Sequence, residues 1–159
     1  MNVTLKHGGL RPLPADTVIL HHTGGMSLSG AVSTLKARGL SYHYIIERDG
    51  KVHNFVDPRF IAFHAVRHNH YSVGISFVGG GNEPQHAVSF AQAEACRALL
   101  ADLVRRMPSL RFICGHRHRT ISGKWDPQLP GERPGIPDRK IEEIFYENLH
   151  PNLEFKPEK

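Results

Sequence analysis

Three short and almost continuously apolar runs limit what this chain can become: TVIL (17–20), VGISFV (73–78) and RFIC (111–114). Runs of this length bounded by turn residues read as strands buried inside a sheet. The first leads into His21-His22-Thr23 and Gly24-Gly25, the second into Gly79-Gly80-Gly81, and the third into Gly115-His116. Each strand therefore ends in a turn, and two of the three turns carry histidine.

The segments between these runs have other periods. In residues 29–38, Ala31, Val32 and Leu35 recur at helical spacing, Lys36 and Arg38 fall in the last turn, and Gly39 is placed as C-cap. Residues 42–56, YHYIIERDGKVHNFV, place two β-prone runs around Asp49-Gly50, which predicts a hairpin. Ser89 and Gln92 have capping-box spacing, followed by a stripe of Cys96, Leu99, Leu100, Leu103 and Met107 that Pro108 stops. A Gly/Pro-rich loop spans 120–137, and Asp138 is placed to cap a last helix with Ile141, Ile144, Phe145 and Leu149 on one side. The order strand, helix, hairpin, strand, helix, strand, helix predicts an α/β fold, a single domain with a central mixed β-sheet flanked by helices. We place that domain at residues 1–150 and read 151–159 as a frayed tail.

Composition excludes several classes. No stretch approaches the roughly 20 apolar residues that span a bilayer, so stable membrane insertion is not expected. Residues 1–14 hold one Lys and one Arg but no continuous apolar core, so no secretory signal is expected and synthesis is placed in the cytoplasm. The net charge of +5 suits an anionic partner such as an acidic wall polymer. No Lys/Arg-rich run and no aromatic-basic repeat accompanies it, and a nucleic-acid partner is not expected. Gly79 to Gly81 lack the Lys-Ser/Thr that a phosphate loop needs. With no export signal, the two cysteines, Cys96 and Cys114, are expected to be buried thiols.

Chemistry collects at the strand ends. His21 closes the first strand, His116 follows the last, and Asp126 stands in the adjacent loop. Catalytic zinc takes three protein ligands of this kind and keeps a position for water. Two imidazoles and a carboxylate leave such a centre net positive, which polarises a carbonyl and lowers the pKa of water towards about 7. Spacing alone leaves the choice open. His22 adjoins His21, and His118 points the same way as His116 on an extended segment, as does Cys114.

VILHHTGG, SYHYIIERDGKVHNFVD, AFHA, RHNHYSVGISFVGG, ICGH and KWDP, in that order over about residues 17–127, resemble the type 2 N-acetylmuramoyl-L-alanine amidases. That family takes in small phage lysozyme-amidases, muropeptide amidases and peptidoglycan recognition proteins, and six motifs in register make the resemblance specific. It implies His21, His116 and Asp126 as ligands of a Zn2+ cofactor, sets His22 and His118 aside, and leaves Cys114 in the core. It implies Lys124 as a catalytic charge for the oxyanion, and Tyr42 as a catalytic phenol beside the attacking water. Where the muropeptide branch carries a glutamate, this chain has Ser76, which favours the phage-type branch. His64 matches a histidine of the substrate cleft, which implies substrate binding or proton transfer, and Asn69 matches another cleft residue, while His68 and His70 read as solvated. The implied reaction is hydrolysis of the amide between N-acetylmuramic acid and L-alanine in peptidoglycan. The implied setting is a monomeric phage or prophage endolysin that reaches the periplasmic wall after release through a partner pore. Some phage lysozyme-amidases also bind phage RNA polymerase, which makes a polymerase a further implied partner. The competing reading is a peptidoglycan-binding module without activity.

Overall fold

The computed structural model describes residues 3–79, 88–115 and 154–155. At its centre lie β2 (Thr17–His22) and β6 (Ser72–Phe77), paired in parallel and buried at every position. β3 (Tyr44–Ile46) flanks β6 in parallel and carries β4 (Val52–Asn54) antiparallel at the edge, while β7 (Phe112–Gly115) runs parallel on the other side of β2. A parallel sheet covered on both faces calls for the near-continuous apolar runs seen in the sequence.

Two boundaries differ from the sequence reading. The first strand was expected to close at His21, but its ladder with β6 runs through His21↔Ser76 to His22↔Phe77. Backbone pairing thus carries two histidines into the interior. The tail read as frayed contributes β8 (Glu154–Phe155), parallel to β7 through Phe112↔Glu154 and Ile113↔Phe155. An open strand edge offers N–H and C=O groups that an extended segment can satisfy. The sheet order is therefore β4-β3-β6-β2-β7-β8. A separate two-stranded sheet, β1 (His7–Leu10) against β5 (Phe60–Ala62), was not anticipated.

Both described helices form where expected, the first beginning one residue earlier behind an N-cap at Ser27. α1 (Leu28–Arg38) starts at Ser27, whose Oγ accepts the Gly30 N–H at 3.1 Å, and ends at Gly39 with φ 66°. α2 (Phe90–Arg106) has the full capping box: Gln92 N–H donates to Ser89 Oγ, and Ser89 N–H donates to Gln92 Oε1. The Gln92 amide also donates to the carbonyls of Ile46 and Val78, each at 2.9 Å, so the cap fastens the helix to the ends of β3 and β6. The predicted hairpin is present, with Gly50 at φ 91° in its turn. The loop expected at 120–137 and the helix expected after Asp138 lie outside the described residues.

Alternation along the strands sorts the interior into two faces. Val18, Leu20, Val73, Ile75, Phe77 and Ile113 pack against Cys96, Leu99, Leu100 and Leu103 of α2. Cys96 is a buried free thiol there, and burial raises its pKa. On the opposite face, Ile45 packs with Val32 and Leu35 of α1 and with Tyr42, Phe55 and Val56. His21, Ser72, Gly74 and Ser76 hold the alternate positions of β2 and β6 on that same face.

Arg11 fastens the small sheet to this second face. Its guanidinium donates to the carbonyls of Pro58 (2.8 Å), Asn69 (3.1 Å), His70 (3.2 Å) and Ser72 (2.6 Å). Burial lowers its pKa to about 10, which still leaves it charged at neutral pH. One side chain thereby ties the chain after β1 to the 3-10 turn Asn69–Tyr71 and to the start of β6. Among the described residues, no helix is long and apolar enough to cross a membrane.

Candidate active site

Ligands of open α/β sheets are held beyond the carboxyl ends of the parallel strands. His21 stands at that end of β2 and is only 2% exposed. Its Nε2 lies 2.9 Å from Nδ1 of His64, and the two rings are nearly perpendicular at 86°. Tyr42 is also buried, its ring centroid 4.8 Å from that of His21 and 6.4 Å from that of His64. The structure thus gathers His21, Tyr42 and His64 into one cluster.

Asn69 stands beside the cluster with its side-chain oxygen committed to the backbone. Oδ1 accepts from the N–H groups of His64 (2.9 Å) and Ala65 (2.7 Å), which fixes the loop carrying the His64 ring. That loop also contains Arg67 at φ 69°. His116, Lys124 and Asp126 lie outside the described residues. Their covalent approach is nevertheless described, because Gly115, the neighbour of His116 in the chain, pairs with Leu20, the neighbour of His21. Among the described residues, no group of three or more His, Cys, Asp or Glu donors is gathered for a metal.

The remaining histidines separate by environment. His22 points away from His21 by strand alternation, and its ring lies 6.4 Å from that of Phe77. Burial, with Arg48 adding repulsion, lowers its pKa to about 4, so it is neutral at pH 7. His43, which the sequence reading passed over, is fully buried. Its Nδ1 accepts the Gly74 N–H at 2.9 Å and its Nε2–H donates to the Phe60 carbonyl at 2.8 Å. Burial chiefly lowers its pKa to about 3; Arg11 pushes the same way, while the Phe60 bond and Asp57 oppose it. His43 is a neutral strut between β3, β5 and β6. Ser76, paired with His21, is fully buried, and its Oγ has no hydrogen-bond partner among the described residues. A cleft opens beside the cluster between α1 and the end of β2, lined by His22, Thr23, Thr34, Leu35, Arg38 and Tyr42.

A mixed sheet between helices, with a buried histidine–tyrosine cluster at the carboxyl end of its central strand, makes this an α/β protein with a site built for polar chemistry. The family model described as N-acetylmuramoyl-L-alanine amidase matches residues 11–129, and the chain belongs to that family. It is 36% identical over 70 residues to the endolysin of Escherichia phage T7, a match over 42% of this chain and 46% of that protein. The chain thus spans about half the length of the curated relatives it matches. Among solved structures, it is similar to the bumblebee protein PGRP-SA, with a TM-score of 0.70 at 22% identity, covering 100% of this chain and 94% of that one. It is also similar to the N-acetylmuramoyl-L-alanine amidase LysC from Clostridium intestinale URNW, with a TM-score of 0.64 at 21% identity over 89% of this chain and 95% of that one. At such identities the two structures speak for the fold.

Proposed function

We propose that this chain is a zinc-dependent N-acetylmuramoyl-L-alanine amidase of the endolysin type, hydrolysing the amide between N-acetylmuramic acid and L-alanine of peptidoglycan. The observation that carries the reading is the buried His21–His64–Tyr42 cluster at the carboxyl end of β2, the strand whose Leu20 pairs with Gly115 of β7. His21 suits the part of a metal ligand. Imidazole nitrogen is a usual zinc donor, and a second group holds its other ring nitrogen, as metal-binding histidines require. His116 and Asp126 would complete the set.

When bound, zinc supplies Lewis acidity to the scissile carbonyl and to the attacking water. The chain's own groups do the rest. Tyr42, packed on the His21 ring, would hold the water or pass its proton through Oη. Lys124 would place a fixed positive charge where the oxyanion develops. The cleft between α1 and β2 would seat part of the muropeptide, and Asn69 would hold the loop that carries His64.

Mass spectrometry of digested peptidoglycan, with zinc analysis and a His116→Ala control, tests this reading. The expected result is one zinc per chain, EDTA-sensitive clearing, and new L-alanine amino groups that the control does not produce. New reducing sugar ends would overturn the amidase. Unchanged activity in the control would overturn the zinc set. Wall binding without metal or released peptide would turn the chain into a recognition module, a reading kept in view by its 30% identity over 115 residues to the peptidoglycan-recognition protein SC2 of Drosophila simulans. A phage RNA polymerase is proposed as a further partner only on the strength of the endolysin likeness, and a pull-down with the cognate enzyme tests it. The proposed place of action is the cell wall, reached as a monomer.

A further inference from the structure

The His64 ring belongs to a longer chain of hydrogen bonds whose directions can be assigned. Ser72 Oγ, fully buried, lies 2.6 Å from the His68 carbonyl and 3.2 Å from His64 Nε2. A carbonyl cannot donate, so the single hydroxyl proton goes to His68 and Ser72 Oγ accepts from His64. His64 therefore carries its hydrogen on Nε2. In the neutral ring its Nδ1 is then an acceptor, and the 2.9 Å partner, His21 Nε2, must donate. Donation runs from His21 to His64, from His64 to Ser72, and from Ser72 to the His68 carbonyl.

We propose that His64 is a positioning residue: together with Ser72 it holds His21 in the tautomer protonated on Nε2, so that Nδ1 is the lone-pair nitrogen offered to the metal. This deepens the zinc reading and rests on it. The role differs from the substrate binding or proton transfer that the family resemblance implied for His64.

Three further features fix the ring in place. Both backbone N–H groups at 64 and 65 are clamped by Asn69 Oδ1. Gly74 lies directly against the ring, and a Cβ at that position would stand 2.6 Å from Cγ, 2.7 Å from Nδ1 and 2.8 Å from Cδ2 of His64. The third is the Ser72 hydroxyl itself, held by β6. The choice of acceptor also has a chemical consequence. A ligand histidine usually donates to a carboxylate, a carbonyl or water. A neutral imidazole in that place orients the ligand without adding negative charge, which preserves the electrophilic character of the centre.

Long-range 1H–15N correlation on the metal-free protein reads the tautomer directly. The expected spectrum shows His21 and His64 both protonated on Nε2. His21 protonated on Nδ1 would overturn the proposal whatever any variant does. Zinc affinity, measured by chelator competition, gives the second readout. His64→Ala and Gly74→Ala should each weaken zinc by about 10–100-fold, and His64→Gln, which restores an acceptor, should recover part of the loss. Unchanged zinc affinity in a folded His64→Ala would also overturn it. A wild-type chain with the expected tautomers that takes up no zinc would support the relay and sink the metal reading, so the two fail separately.

Discussion

The strands β2 and β6 share one backbone ladder, yet their two faces have different compositions and do different work. Towards α2 they show Val18, Leu20, Val73, Ile75 and Phe77, an apolar layer filled by Leu99, Leu100 and Leu103 that ends at His22 beside Phe77. Towards α1 they show Thr17, Ile19, His21, Ser72, Gly74 and Ser76, mostly small or polar residues, with the rings of His64 and Tyr42 over the His21 end. Burial is equally deep on both faces. What differs is how the interior is satisfied: by dispersion and exclusion of water on one side, by assigned hydrogen bonds on the other. A sheet can thus keep its stability on one face and leave the other for groups that would cost stability anywhere else.

If the division holds, substitutions on the two faces should fail in different ways. The largest effect belongs to the polar face. His21→Ala should lower wall-clearing activity by more than about 100-fold, beyond the loss typical of outer-shell partners, while the protein still unfolds cooperatively in denaturant. Measurable clearing near the wild-type rate would break the comparison. On the apolar face, Leu100→Ala should cost about 2–5 kcal/mol in denaturant unfolding. Activity per folded molecule should stay at the wild-type level.

A subtler test uses protons. His43 has a folded pKa of about 3 against an ordinary 6.5, so between those values the unfolded chain binds a proton that the folded chain refuses. Its contribution to stability is complete above pH 6.5 and is lost as the pH falls towards 3, at up to about 1.4 kcal/mol per pH unit. Arg11 and Asp57, the charged groups acting on it, oppose one another. Unfolding free energies of wild type and His43→Gln between pH 4 and 7 should show a shallower slope in the variant; equal slopes would remove His43 as a titrating strut. The smallest effect is expected at Ser76. Its buried hydroxyl makes no hydrogen bond among the described residues, so Ser76→Ala should change stability by less than about 1 kcal/mol and leave clearing intact. A large loss at this position would show that the polar face uses the hydroxyl after all.

Much of the scaffold was legible because it is written locally. Gly39 and the Ser89–Gln92 box mark helix ends by chemistry confined to a single turn. The hairpin at Asp49-Gly50 and the three apolar strands follow from neighbours a few residues apart. The β1–β5 pair escaped because HGGL and FIA are short, carry little alternation and meet only across some fifty residues. The site divides in the same way. Motifs singled out His21 and Tyr42, which the structure brings together, but motifs carry no donors and acceptors. That His64 takes its orientation from Ser72, or that Asn69 faces inward to the backbone, depends on contacts no spacing rule encodes. His43 and Arg11 went unremarked for the same reason: each bonds groups far from it in the chain.

The central position of β2 also sets a timetable. Thr17 pairs with Ser72 on one side and with Phe112 on the other, and both partners lie far downstream. Long-range parallel pairing of this kind is slow, because the loops must close before the contacts repay them. At a synthesis rate of roughly 5–20 residues per second, the ribosome needs several seconds after making β2 before β7 exists to flank it. Throughout that interval His21 lies on a strand with an open side. A nascent chain therefore cannot flank β2 on both sides early, and the strand that bears His21 is closed only by late-made segments of the polypeptide.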